Sequence, residues 1–183
     1  MTTSTDRIVA LSRPGRFRIR QAGLDDLPAL AAVKALAWRQ AYDFDEAVFV
    51  RQDELAARAA ESWQQRARQG SYFWAVVDTQ TIDPVSGQPS FVGIAHACAA
   101  RDDDAPQPLE LAMIYLLEVA KGSGIADRLL EICIGDAPAY LWVLEGNERA
   151  ISFYRRHGFE LDGAAQPLSG ELSGHREVRM VRS

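Results

Sequence analysis

Leu109-Glu110-Leu111-Ala112-Met113-Ile114-Tyr115-Leu116-Leu117, followed closely by Lys121-Gly122-Ser123-Gly124-Ile125-Ala126, is the stretch on which the reading of this chain turns. Its first part is a nearly unbroken apolar run, as expected of a strand covered on both faces. Glu110 is the one charge in that run. A carboxylate there lies near a strand end or faces a polar site, because burying it unpaired is costly. The second part sets glycines ahead of a helix: Ile125, Leu129, Ile132 and Cys133 recur at i, i+4, i+7 and i+8. Gly135 and Pro138 end that helix. Glycines at such a junction let backbone N–H groups turn outward and approach a ligand closely. The helix N-terminus behind them adds about half a positive charge. Together they make a cradle suited to a pyrophosphate.

Working outward, Tyr140 to Leu144 reads as another buried strand. Asn147 is placed to cap a helix carrying Ala150, Ile151, Phe153 and Tyr154. Gly158 stands where a left-handed residue closes a helix, with Phe159 after it. His175 to Val181 is a last strand, charged enough for a sheet edge. Upstream, Phe17 to Arg20 alternates like a strand, and Asp25-Asp26 opens a helix that runs to Tyr42 through Leu27, Leu30, Ala31, Trp38 and Ala41. Asp53 can cap a second helix through Leu55, Ala59 and Trp63, ending near Gly70. Tyr72 to Val77 and Phe91 to Ala99 form a hairpin with a long tip. Arg101 to Pro108 is a solvated loop, and its acidic run Asp102-Asp103-Asp104 is assigned no metal role. The order is βαα, then βββ, then αβαβ: an α/β (α+β) domain with a mixed sheet and helices on both faces. Residues 1–15, ending in Pro14-Gly15, read as a flexible arm before a single domain at 16–183.

The 183 residues suit one domain and are short for two. Hydrophobic residues at 48% and charged residues at 25% exclude collagen-like, mucin-like and disordered classes. No uncharged apolar stretch approaches the roughly 18 residues of a membrane helix. Residues 1–20 carry charge throughout and lack the apolar run of a signal peptide. The expectation is a soluble cytoplasmic protein with no membrane contact. Twenty basic residues against 25 acidic ones leave a net charge of −5. A nucleic-acid binder is usually basic, so no nucleic-acid partner is expected. An acidic surface is compatible with a cationic acceptor. Cys98 and Cys133 fit no zinc spacing, and His96, His157 and His175 form no paired metal motif, so no metal is expected.

Three anion-binding loops compete for Lys121 to Ala126. A P-loop lacks its Lys-[Ser/Thr] pair here. A Rossmann fingerprint fits Gly122-Ser123-Gly124, but its third position is Asp127 and it belongs in a first βαβ unit. The third is [Q/R]-x-x-G-x-[G/A], the acyl-CoA pyrophosphate loop of the GNAT superfamily of N-acyltransferases. Lys121-x-x-Gly124-x-Ala126 resembles it, with Lys in place of Gln or Arg. The flanks strengthen the likeness. Leu109 to Leu116 looks like the family's fourth strand, and Asn147-Glu148-Arg149-Ala150 leading into Phe153-Tyr154-Arg155-Arg156-His157-Gly158-Phe159 is very similar to its N-x-x-A-x-x-F-Y-x-x-x-G-F pattern. Trp38-Arg39-Gln40-Ala41-Tyr42 is a weaker match to the N-terminal unit.

The resemblance implies a GNAT-like, mostly antiparallel central sheet whose fourth strand splays from its neighbour at a bulge. It implies an acetyl-CoA-dependent N-acetyltransferase, a transferase that passes the acetyl group directly to a primary amine of a small molecule or peptide. Backbone groups at Tyr115, Leu116 and Leu117 would pair with the pantetheine arm. The diphosphate would rest on Gly122, Ser123, Gly124, Ile125 and Ala126, with Lys121 as a phosphate contact. Asn147 would cap its helix and touch the CoA arm. Tyr154 would be the general acid that protonates the thiolate. Glu110 is a candidate base, with Glu145 in competition. The groove for the acceptor would be lined by Trp38 to Asp53 and by residues 160–174. Family members are often dimers, so the resemblance allows a homodimer. The alternative functions are a CoA-binding regulatory module with weak or no catalysis, and a nucleotide-binding protein that uses the same loop.

Overall fold

The computed structural model describes residues 15–183; the expected arm, Gly15 apart, lies outside the described residues. The elements are β1 (Phe17–Gln21), α1 (Leu27–Ala41), α2 (Glu46–Arg68), β2 (Phe73–Ile82), β3 (Pro89–Ala99), β4 (Leu109–Leu116), α3 (Ile125–Ile134), β5 (Ala139–Leu144), α4 (Glu148–Arg156), β6 (Glu160–Pro167) and β7 (Arg176–Arg182). They build one seven-stranded sheet in the order β1-β2-β3-β4-β5-β7-β6. Every neighbouring pair is antiparallel except β4 with β5.

Helices cover both faces. On one face, Leu27, Leu30 and Ala31 of α1 and Ala60 and Trp63 of α2 bury against Phe73, Ala75 and Ile94 of the sheet. On the other, Ile125 and Leu129 of α3 pack on Val76, Ala95 and Leu116. Ile151 and Tyr154 of α4 join Leu141, Val143 and Met180 there. Both expected caps of α4 are present. The Asn147 side chain accepts the Ala150 N–H at 3.1 Å. Gly158 takes a φ of 80° after the last turn of α4, a conformation that costs a residue with a Cβ.

Three expectations change. Helix α2 starts at Glu46, a full two turns before Asp53. Its apolar spacing already includes Val48 and Phe49, both buried, while Asp53 pairs with Arg39 at 2.8 Å instead of capping. The hairpin tip is short, because β2 and β3 run on until only residues 83–88 turn. Asp83 fixes that turn by accepting the N–H groups of Val85 and Ser86. Lastly, β7 lies inside the sheet and the edge belongs to β6, a strand not anticipated from the sequence. The charges that suggest an edge are cross-strand partners: Arg179 is 8% exposed and bonds Asp162 of β6 at 2.7 Å. Strand β6 is polar, carries Gly163 at φ 89° and slips register between Leu161 and Ala165, so it shows no alternation to read.

The β4–β5 junction positions the site. Only Glu110 and Tyr140 pair across it. On the other side of β4, His96 faces Met113 while Ala97 faces Leu111. Ala112 is thus an extra residue, a bulge that bends β4 away. Beyond the single rung, β4 and β5 diverge.

Candidate active site

The divergence leaves backbone groups of β4 without a strand partner. Leu117 N–H donates to Val92 O at 2.9 Å, so Leu117, Tyr115 and Met113 turn their peptide groups toward β3. Alternation along an antiparallel strand turns Ile114 and Leu116 the other way, into the gap. A cleft of about 800 Å³ opens there, lined by Ile114, Tyr115, Leu116 and Tyr42 on one side and by Lys121, Gly122, Gly124, Asn147 and Tyr154 on the other. A second cleft, of about 950 Å³, lies between α1 and the β2–β3 hairpin. It is larger, yet the splay and the glycine loop meet in the smaller one.

The loop before α3 has the conformation its glycines allow. Gly122 and Gly124 sit at φ 76° and 79°, and a Cβ on either would meet open space. Their restriction is therefore backbone strain, and the space above them is free for a ligand. Among the described residues, no protein acceptor takes the N–H groups of Gly122, Ser123, Gly124 or Ala126. They stand at the head of α3, where a helix favours negative charge. Ser123 Oγ donates to Ala120 O at 2.6 Å, so this hydroxyl braces the turn. Ile125 is 3% exposed and anchors the helix in the core; it can serve a ligand only through its backbone. Lys121 Nζ pairs with Glu118, which also lies 3.7 Å from Arg149. Glu118 N–H in turn donates to Gln40 Oε1 at 2.8 Å, tying the rim to α1.

Three tyrosines converge on the gap. Tyr154 reaches it from α4, and burial pushes its phenol well above the usual value, with Tyr115 and Tyr42 as lesser causes. Its ring packs at 5.2 Å on Phe153 and 5.8 Å on Phe159. The Tyr115 phenol is raised in the same way, chiefly by burial. Tyr42 accepts a hydrogen bond of 2.8 Å from Asn147 Nδ2, joining residues 105 positions apart. Asn147 thus caps α4 through one side-chain atom and holds α1 through the other.

Residues 69–161 match the acetyltransferase (GNAT) domain family, more than half of the chain. The chain belongs to the GNAT family. Over 179 residues it is 27% identical to a probable N-acetyltransferase of Mycobacterium tuberculosis, covering 93% of this chain and 97% of that protein. Its fold is shared with a GNAT superfamily phosphinothricin acetyltransferase from Sinorhizobium meliloti solved with AcCoA (TM-score 0.63, 20% identity, 92% and 88% of the two chains). It is shared equally with a ribosomal-protein-alanine N-acetyltransferase from Brucella melitensis (TM-score 0.59, 23% identity, 90% and 98%).

On this GNAT frame, the structure brings Tyr115, Leu116, Lys121, Gly122, Gly124, Ala126, Asn147 and Tyr154 to one cleft. It does not bring Glu110 there. Glu110 lies at the far end of β4, about 17 Å of strand from Tyr115. It is 2% exposed and takes a two-pronged bond from Arg101 and a 3.1 Å bond from the Tyr140 hydroxyl. The lone charge in the apolar run is answered by a loop arginine, so the candidate base is corrected to a structural ion pair. Burial pushes the Tyr140 phenol up to about 12, which keeps it a donor. Burial likewise raises the thiols of Cys98 and Cys133, the latter to about 12, so neither is primed as a nucleophile. The expected walls of the acceptor groove do approach each other: the Phe44 ring lies 4.9 Å from that of His175, just beyond residues 160–174, and Arg51 lies 3.9 Å from Glu171. Tyr42, Gln40 and Arg149 are rim residues assigned no role from the sequence: the first two are touched only by the weak Trp38 to Tyr42 match, and Arg149 fills a variable position of the Asn147 motif. Among the described residues, no cluster of His, Cys, Asp or Glu is arranged for a metal, and no helix is long and apolar enough to cross a membrane.

Proposed function

We propose that this GNAT protein transfers the acetyl group of acetyl-CoA directly to a primary amine of a small molecule or peptide. The observation that carries the reading is the pair of free-amide glycines at the head of α3, beside a sheet whose central strands part. That combination fits a diphosphate on the loop and an extended amide-bearing arm against Ile114 and Leu116. Acetyl-CoA supplies the thioester. The loop amides from Gly122 to Ala126 hold its diphosphate, with Lys121 released from Glu118 to join them. Backbone groups of Ile114 and Leu116 hold the pantetheine, in place of the expected Tyr115 and Leu117, whose peptide groups face β3, and Asn147 borders it. The amine nitrogen attacks the thioester carbon, the C–S bond breaks, and Tyr154 gives its proton to the sulfur. A phenol held neutral by burial carries that proton at working pH. The net charge of −5 favours a cationic acceptor over a nucleic acid.

Calorimetry with acetyl-CoA, together with thiol release across an amine panel, tests this. Saturable acetyl-CoA binding with amine-dependent thiol release is expected. Binding without release by any amine would leave only a CoA-binding module. Absence of acetyl-CoA binding by the folded protein would remove the proposal.

A further inference from the structure

On the face of the sheet turned toward α1, beside the gap, stands a carboxylate that no motif marks. Glu177 stands opposite Leu144, the last register pair of β5 and β7, where β4 has already swung away. Its neighbours Val178 and Met180 pack into the core under α3 and α4. Strand alternation therefore turns Glu177 to the other face, with Arg179, whose guanidinium lies 5.5 Å from the Trp142 ring. Gln166 Nε2 donates to it at 3.2 Å from β6. Its charge acts on Lys34 of α1, on Tyr42 just after that helix and on Tyr115 of β4. No lysine or arginine among the described residues closes an ion pair on it; Lys34 Nζ rests instead 5.7 Å over the Tyr115 ring.

Around this carboxylate stands an aromatic wall. Trp38 and Tyr42 lie 5.1 Å apart, Tyr42 stacks on Phe44 at 5.1 Å, and Phe44 meets His175 at 4.9 Å. Trp38 is 8% exposed, with its indole N–H beside the Tyr115 hydroxyl. A carboxylate on which no ion pair closes, beside aromatic faces, suits an ammonium carried on an apolar group.

We propose that Glu177 receives the ammonium of the acceptor and takes its proton, and that the acceptor is a primary amine on an aromatic-sized apolar group. This rests on the acetyl-transfer reading. Glu177 and Tyr154 then act from opposite faces of one gap. The nitrogen loses two protons in all as the C–N bond forms. One leaves through Glu177 to solvent, and the other balances the proton that Tyr154 gives to the sulfur.

The test uses the whole chain, acetyl-CoA and 2-phenylethylamine as the probe. Wild type should release thiol with this amine and bind it saturably in the presence of CoA. Glu177→Gln should cut kcat/KM by about 10²-fold or more, as loss of a general base does, and weaken amine binding, while acetyl-CoA affinity and melting temperature stay near wild type. Glu177→Asp, which keeps the charge, should recover part of the rate. Wild type that binds acetyl-CoA yet neither binds nor acetylates 2-phenylethylamine would overturn this inference alone, as would Glu177→Gln with unchanged kcat/KM. Failure of acetyl-CoA itself to bind would overturn the acetyl-transfer reading as well.

Discussion

Tyr154 and Glu110 show how differently two residues named by one motif stretch can behave. Tyr154→Phe removes a hydroxyl and keeps the ring against Phe153 and Phe159. The expected result is kcat lower by about 10²-fold with acetyl-CoA affinity nearly kept, the mark of an interaction made chiefly in the transition state. Steady-state kinetics and calorimetry on the one variant check it. Glu110→Gln should do the reverse. It leaves Arg101 facing a neutral amide and should cost about 1–3 kcal/mol of stability, read by denaturant titration, with kcat intact. Glu110 was visible in the sequence as a lone charge in an apolar run, but its partner was not. Arg101 comes from a loop, where no periodicity says which way a side chain points. Glu177 escaped notice for a related reason: in a strand that reads as a charged edge, one more carboxylate carries no signal until the fold shows what it faces.

Loops and helix ends decide the element scale. Gly124→Ala adds a methyl into open space but at φ 79°, where an L-residue is strained by about 1–2 kcal/mol. The loop is exposed and can relax, so melting should move little while calorimetric acetyl-CoA affinity falls. Affinity equal to wild type would mean that the diphosphate rests elsewhere. Asn147→Ala removes the cap of α4, worth about 0.5–2 kcal/mol, and also frees Tyr42. Both a lower melting temperature and a weaker acceptor KM are expected, a coupling that a simple cap would not give. Elements with strong periodicity or sharp punctuation were legible: α3 between Gly124 and Gly135, α4 between Asn147 and Gly158. Polar extensions were not. The far half of β2, all of β6 and the first turns of α2 gain their structure from partners distant in sequence, such as the Arg179–Asp162 bond.

For the molecule as a whole, acid sensitivity should trace to Asp78. Its carboxyl is held down to about 2 from 3.8, chiefly by Arg16, with Gln80 N–H and Thr81 adding bonds. Because the folded value is depressed, its stabilisation is complete above about pH 4 and is lost as pH falls toward 2. Asp78→Asn should lower stability at neutral pH and flatten that acid limb, which melting curves across pH 2–7 would show. The sheet itself has an uneven interior. A single rung, Glu110 with Tyr140, is the whole backbone connection between the leaf β1–β4 and the leaf β5–β7; the rest of the joint is side chains such as Leu111, Leu130, Leu141 and Met180. Amide exchange should expose this seam. Ile114 and Leu116 should lose their protons to solvent far sooner than Tyr115 and Leu117, although all four lie mid-sheet. A pantetheine arm laid in the gap would supply the missing rungs and slow those two amides. The cosubstrate would then be, for as long as it stays, a short eighth strand that stitches the leaves together.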